Sequence, residues 1–313
     1  MNDSSYNLDS EYKKCCSLLQ MSRLDLLQEK ATQLIANFPD SDLGYEMLAR
    51  SCVGQNQFDD ALHHIETAIN IVPNNSEYFR LHAVTLRFSN RQEEALTSIQ
   101  EAIRLSPDHS ELHCEWGLIL TTMNKHSEAL EKLHQALRLD GQNTMALAAI
   151  GDIHLHQEEW TAAEQKYREY LEIEPNSADV LNNLGFALFQ QNRSDAATVA
   201  YRTALSCDPT MKQAKVNLEV VVRERLLKTA VIVVSIGFGL FYVSFKAGNM
   251  YPDTNRGYIL LGGVLLLLIS VLIGAVIVRF KKFQLGRSDP QLIQIYENIR
   301  NDPTLQKKKR KSG

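Results

Sequence analysis

A chain of 313 residues with 44% apolar and 22% charged residues is long enough for one large or two small domains, so burial does not limit what it can fold into. The formal charge of −4 hides an asymmetry: residues 229–313 carry 12 Lys or Arg against 4 Asp or Glu, which leaves 21 basic and 33 acidic residues before them. Five cysteines, Cys15, Cys16, Cys52, Cys114 and Cys207, form no CxxC pair and no even-numbered framework, which argues against zinc and disulfides and for a reducing compartment.

The first thirty residues lack the charged-then-apolar pattern and the small-residue cleavage site of a secretory signal, so no export signal is expected there. Beyond them the prolines set a ruler: Pro39, Pro73, Pro107, Pro175 and Pro209 stand 34 residues apart, or once 68, and the missing mark falls on Gly141 in "RLDGQNT". The same step places Ala61, Ala95, Ala129, Ala163 and Ala197 in one series, and Ala49, Ala83, Gly117, Gly151 and Gly185 in another. Small residues recur where two helices touch. The bulky series Ile65, Ile99, Leu133, Tyr167, Tyr201 and Ile69, Ile103, Leu137, Leu171, Leu205 fill the space between repeats.

Each 34-residue unit therefore reads as an antiparallel helix pair, and five units are expected at 42–75, 76–109, 110–143, 144–177 and 178–211. These residues resemble the tetratricopeptide repeat (TPR) family: "NNLGFALFQQNRSDAATVAYRTALSCDP" carries its Leu-Gly, central Ala, aromatic, second Ala and closing Pro. The resemblance covers about residues 42–211 and implies an all-α solenoid, a right-handed superhelix of helix pairs. Residues 1–41 keep phase only at Leu27, Ala31, Leu34, Ile35 and Pro39, with Cys15 at a small-residue position, and read as a degenerate N-terminal helical cap.

After Pro209, residues 212–228 are expected to form a capping helix whose Val216, Val220 and Leu227 cover the fifth repeat. Two uncharged runs follow: 17 residues between Lys228 and Lys246, and 22 between Arg256 and Arg279. They predict a transmembrane hairpin, with spans at 229–246 and 257–279, joined by a short non-cytosolic loop at 247–256. Ser235/Gly239 and Ser270/Gly274 are small pairs four apart that let such spans pack together.

Basic residues flank both runs (Lys215, Arg223, Arg225 and Lys228 before, Arg279, Lys281, Lys282 and Arg287 after), against Lys246 and Arg256 between them. That bias puts both termini in the cytosol of a two-pass integral membrane protein, in the bacterial inner membrane or, in a eukaryotic cell, the endoplasmic reticulum membrane. The basic cytosolic tail, 280–313, includes "SDPQLIQIYENIRND", where Asp289 can cap and Pro290 can start a short helix with Leu292, Ile295, Tyr296 and Ile299 on one side. Its last cations, Lys307, Lys308, Lys309, Arg310 and Lys311, join Lys281 and Lys282 as a membrane-surface patch, and Lys309 and Lys311 also resemble a dilysine retrieval signal.

The family resemblance implies that the first helix of each repeat lines a concave groove for a protein partner, an extended peptide or a helix. Its second, fifth, ninth and twelfth residues, with their neighbours, include Glu46, Arg50, Glu77, Arg80, Arg87, Glu111, Cys114, Leu118, Asp152, Leu155, Asp179, Asn182, Asn183, Phe186 and Phe189. That list makes the groove basic at one end and apolar at the other, with Arg50, Arg80 and Arg87 as carboxylate contacts and Phe186 and Phe189 as anchors. Asn183 matches one position of the chaperone-tail clamp known in the family, but Ala148 and Asp152 fail the preceding pair, which disfavours that partner.

No phosphate-binding glycine loop and no GxSxG elbow is present, "HQEEW" lacks the second histidine of a zinc-protease helix, and neither uncharged run, 229–245 or 257–278, holds an ionisable residue other than tyrosine. His109, His113, Cys114, His154 and His156 fall where the repeat phase assigns packing or surface roles. The expectation is a non-enzymatic membrane-anchored scaffold with no cofactor, metal, nucleic acid or small-molecule substrate. The rival expectation is an assembly subunit of a membrane complex in which the spans and tail make the essential contacts.

Overall fold

The structure is a computed structural model; it describes residues 4–248 together with Val264 and Leu268. Thirteen helices follow one another among the described residues: α1 (Ser4–Gln20), α2 (Leu24–Asn37), α3 (Asp42–Gly54), α4 (Phe58–Ile71), α5 (Ser76–Phe88), α6 (Gln92–Leu105), α7 (Ser110–Thr122), α8 (His126–Leu139), α9 (Thr144–His156), α10 (Trp160–Ile173), α11 (Ala178–Gln190), α12 (Ser194–Cys207) and α13 (Lys212–Gly248). The chain divides into two compact units, Met1–Ile153 and His154–Gly313.

The connections within helix pairs share one device. Ser22, Asn56, Asn90, Asn124, Glu158 and Asn192 all take left-handed backbone conformations, with φ between 53° and 61°, at a constant step of 34 residues. In each case the following amide donates back to a carbonyl of the preceding helix, as in Gln57 N to Cys52 O (2.8 Å), Arg91 N to Leu86 O (2.9 Å) and Arg193 N to Leu188 O (3.0 Å). This is the Schellman closure, which satisfies carbonyls that a helix end leaves open. Ser22, with Arg23 N donating to Leu18 O at 2.9 Å, shows that α1 and α2 turn as every later pair does.

Asparagine tolerates this conformation because its short side chain bonds locally; glutamate does not. Glu158→Asn is therefore expected to stabilise unit 2 by on the order of 1 kcal/mol, read as a higher urea midpoint with unchanged slope.

In the first unit the core is a row of apolar clusters. Cys15, Leu27, Ala31, Met47 and Leu48 form one; Ala49, Ile65, Ala68, Tyr78 and Leu81 the next. Leu86, Ala95, Ile99, Leu112 and Ile119 continue it, and Cys114, Ala129, Leu133, Ala146 and Ile150 carry it into α9. The five series alanines are fully buried, as are Ile65, Ile99, Leu133 and Tyr167, with Tyr201 1% exposed. The second bulky series is less uniform, since only Leu171 is buried and Ile69, Ile103, Leu137 and Leu205 are half-buried.

Gly117 shows why one position must be small: a Cβ there would lie 2.5 Å from Leu133 Cγ and 3.2 Å from the Ala129 carbonyl.

In the second unit one cluster runs from Ala163, Tyr167 and Leu171 through Leu181, Leu184 and Leu188 to Ala200, Tyr201 and Ala204, and ends on Ala214 and Val221 of α13. The start of α13 thus closes this cluster, but not with Val216 and Val220; the side chain of Leu227 lies outside the described residues. Val216 and Val220 are 53% and 48% exposed, while Ala214 and Val221 are buried and Leu218 packs beside them. Two polar bridges select that rotation: Asn217 Nδ2 donates to Asn182 Oδ1 at 2.9 Å, and Arg225 pairs with Asp195 at 2.9 Å.

Helix α13 does not break at Lys228; it runs unbroken for 37 residues to Gly248. Among the described residues no helix is long and apolar enough to cross a membrane. The uncharged run of α13 spans 17 residues, which at 1.5 Å per residue is about 26 Å, against about 30 Å of hydrocarbon. The second expected span, its loop beyond Gly248 and the tail with Lys281, Lys282 and Lys307 to Lys311 lie outside the described residues, except Val264 and Leu268, which are helical and exposed.

Candidate partner-binding face

In the first unit, α3, α5 and α7 lie side by side, with α1 beside α3, so their side chains share one face. That face is a ladder of internal charge pairs. Arg50 Nε meets Glu46 Oε1 at 2.8 Å, and its Nη2 lies 4.0 Å from Glu77. Arg80 grips Glu77 through Nε and Nη2, at 3.0 and 2.9 Å from Oε2. Arg87 reaches from α5 to Glu115 of α7 at 2.5 Å, with its guanidinium also 4.4 Å above the Phe88 ring. Tyr12 of α1 donates to the other Glu46 oxygen at 3.1 Å, and Tyr78 donates to Asp42.

The basic end expected from the sequence is thus an array of internal pairs, not of free cations. Arg50, Arg80 and Arg87 each hold a carboxylate of the chain itself, and every one is at least partly buried. The partners that sequence reasoning missed as such are Glu115, 3% exposed, and Glu46, 5% exposed; sequence spacing alone does not separate them from solvated glutamates.

The ladder tunes its own acids. Burial works to raise Glu77, but the Arg80 hydrogen bond and the charges of Arg80, Arg50 and His109 outweigh it and hold the carboxyl below its usual range. At Glu115 burial wins, so its pKa is raised despite Arg87 and Arg80. Cys114, buried beside it, is pushed up to about 12 by burial and then by the Glu115 charge, which favours the protonated, packed thiol. Leu118 is half-buried and packs onto the α7 to α9 cluster, and Asp152, half-buried on α9, has its own interactions.

In the second unit the expected apolar end has packing neighbours of its own. Phe186 stacks edge-on against Trp160 with ring centroids 5.9 Å apart, and Phe189 packs onto the core cluster; both are half-buried. Asn182 is 7% exposed and bonds to Asn217 of α13 and, at 3.3 Å, to Asn183, so the closing helix occupies what was read as groove. A buried polar knot was not foreseen: Glu164 accepts from Arg193 (2.6 Å), Arg168 (2.9 Å) and Gln191 (2.9 Å), which ties α10 to the turn before α12.

Among the described residues no group of three or more His, Cys, Asp or Glu could hold a metal ion. His113, 4% exposed, bonds the Pro107 carbonyl at 2.7 Å, and His154 meets Glu159 at 2.6 Å.

Residues 114–178 and 166–198 match two family models of the tetratricopeptide repeat. The fold agrees: a chain of the APC/C hetero-tetramer Cut9–Hcn1 aligns with a TM-score of 0.62 at 15% identity, over 83% of this chain and 49% of that one. This chain thus spans about half the length of that neighbour. PilW, a widely conserved type IV pilus biogenesis factor, aligns with a TM-score of 0.60 at 14% identity, over 70% of this chain and all of its own. Pseudomonas aeruginosa pilF aligns at 0.57 and 18% identity, over 68% and 97%. No curated protein matches the sequence. The all-α TPR solenoid fold is established by these alignments.

Proposed function

We propose that the protein is a non-enzymatic TPR scaffold that binds a protein partner across the face of α3, α5 and α7 and holds it at a membrane surface. The observation that carries this reading is the unbroken α13. Its first half closes the repeat core through Ala214, Leu218 and Val221, and its second half leaves Val231, Ile232, Ile236, Tyr242 and Val243 between 51% and 65% exposed. A helix apolar on all sides needs an apolar solvent. The uncharged run at 257–278 supplies a second span, the basic residues on both flanks favour cytosolic termini, and two helices make up for the short first span by packing together. Confinement to a surface raises the effective concentration of a partner without a new contact.

A ladder of internal pairs suits recognition by hydrogen bonding and alternating charge better than capture of a uniformly acidic peptide. The test keeps the pair and reverses its sense: Glu77→Arg combined with Arg80→Glu preserves the attraction one turn apart while inverting the pattern a partner meets. The expected result is a folded protein with a modestly lowered thermal midpoint, since the swap turns the Arg50 and Glu115 contacts repulsive, and at least a tenfold loss of partner retention at a temperature well below that midpoint, as like charges meet across the contact. An unchanged set of co-purifying proteins would reject this face and favour the reading in which spans and tail make the essential contacts.

A further inference from the structure

His82 breaks the repeat pattern. At the step of 34 residues stand Leu48, His82, Trp116, Ile150 and Leu184, so a histidine takes a place that the other repeats fill with large apolar side chains. Its ring is fixed from α6: Ser98, 6% exposed, donates its hydroxyl proton to the Phe79 carbonyl at 3.1 Å and accepts from His82 Nδ1 at 2.9 Å. That leaves Nε2 as an acceptor, 3.6 Å from the Glu66 carboxylate of α4. Two acceptors side by side suit one donor that serves both. Phe79, His82 and Ser98 also line a surface cavity of about 660 Å³, with Glu94, Glu101 and Arg104 of α6 around it. His82 stands about 200° round α5 from Arg80, so the cavity lies off the face that carries the charge ladder.

The next repeat shows what fits such a place. There Lys132, 34 residues after Ser98, holds its ammonium 4.5 Å from the centroid of the Trp116 ring and meets Glu131 at 3.1 Å. Lys166 continues the series, and both lysines are half-buried. In the last repeat Ala200 and Leu184 make the place wholly apolar. Only α5 and α6 combine a short side chain, Ser98, with a polar floor, His82, and there the cavity stands where the chain places a lysine in α7 and α8.

We propose that this cavity receives the side chain of a lysine from a protein partner, with its methylene stem along Phe79 and its ammonium shared by His82 Nε2 and Glu66. An ammonium carries three donors and no acceptor, and its flexible stem packs on apolar surface. Glu94 and Glu101 are already held by Arg91 at 2.6 Å and Arg104 at 2.7 Å, so Glu66 supplies the charge. Burial lowers the pKa of His82, helped by the Arg91 charge and opposed by Glu66 of α4 and Glu94 of α6, so at neutral pH the ring is the acceptor that the bond requires. The site is a second point of attachment, and it does not depend on the face of α3, α5 and α7.

The experiment uses the full-length protein with ¹⁵N-labelled histidine rings, read by NMR. The probe is Nα-acetyl-lysine methylamide, and Nα-acetyl-norleucine methylamide supplies the same stem without the ammonium. The expected result is a saturable shift of the His82 Nε2 signal with the lysine probe and none with norleucine. The pKa of His82 should fall further as the lysine probe binds, because ammonium and proton compete for Nε2. Ser98→Lys fills the cavity from within, as Lys132 does one repeat on, and should weaken the probe by roughly tenfold or more. Glu66→Gln should weaken it about threefold, as for an exposed pair. His82→Leu restores the residue found at Leu48 and Leu184, assigns the ring signal and should lose the probe too, read from the probe's own resonances. Unchanged affinity in Ser98→Lys or His82→Leu, an equal shift with norleucine, or a His82 pKa unmoved or raised by the probe overturns the proposal.

Discussion

Arg87→Ala should destabilise the first unit by about 3–5 kcal/mol at neutral pH, the cost of leaving a buried charge without its partner. Glu115 is 3% exposed and its two oxygens take the Arg87 guanidinium at 2.5 and 3.4 Å. The loss should depend on pH in a definite sense. Burial already raises the folded pKa of Glu115 above the 4.5 of an ordinary glutamate, against the pull of Arg87 and Arg80. Removing Arg87 lets it rise further. A carboxyl raised on folding binds its proton more tightly in the native state, so it costs stability as pH climbs through the window from 4.5 to the raised value. The deficit of the variant should therefore be largest at neutral pH and shrink as pH falls toward that lower limit. Urea unfolding along a pH series measures it. Adding Glu115→Gln to Arg87→Ala should recover most of the neutral-pH loss; no recovery would show that the arginine acts through its stem and the Phe88 ring instead.

Tyr201→Ala should cost the second unit about 3–5 kcal/mol, as for other large buried rings. The ring is 1% exposed, and the position of a Cβ on Gly185 would fall 2.7 Å from its Cε1 and 2.8 Å from its Cδ1. Gly185→Val alone should cost about 3 kcal/mol by overpacking. The two losses should not add. With the ring gone the valine has room, so the double variant should fall short of the sum by about 1–3 kcal/mol. A double-mutant cycle in urea checks this; strict additivity would mean that the glycine is small for a reason other than the ring.

Both predictions bear on how much of the molecule can be read from its sequence. The 34-residue step is overdetermined, since Ala129, Gly117 and Leu133 meet at one contact in the α7/α8 pair and each alone is a weak signal. Cys15 announced its buried place through phase, because it stands 34 residues before Ala49 and both are fully buried. The left-handed turns were hidden, because asparagine, serine and glutamate share that position and only the backbone reveals the common conformation.

The candidate face was less legible. Arg87 and Glu115 are 28 residues apart, and nothing in a charge pattern says which long side chain crosses to which helix. Phe186 looked unclaimed because its neighbour Trp160 belongs to the preceding helix pair. The rotation of α13 was misjudged for a related reason. Val216, Val220, Val221 and Val222 offer several apolar stripes, and the choice was made by Asn217 and Arg225, whose partners lie on other helices.

Because α13 carries no turn between the repeats and its apolar half, it transmits azimuth as well as distance. Each residue of a helix advances its axis by about 1.5 Å and turns it by about 100°. The number of residues between Val221, which is locked into the repeat core, and any side chain of the apolar half therefore fixes the bearing of that side chain about the helix axis relative to the repeats it closes. Lengthening the helix by one residue would turn the apolar half by about 100° relative to the repeats while moving it only about 1.5 Å, and seven residues would restore its heading about one helix diameter farther out.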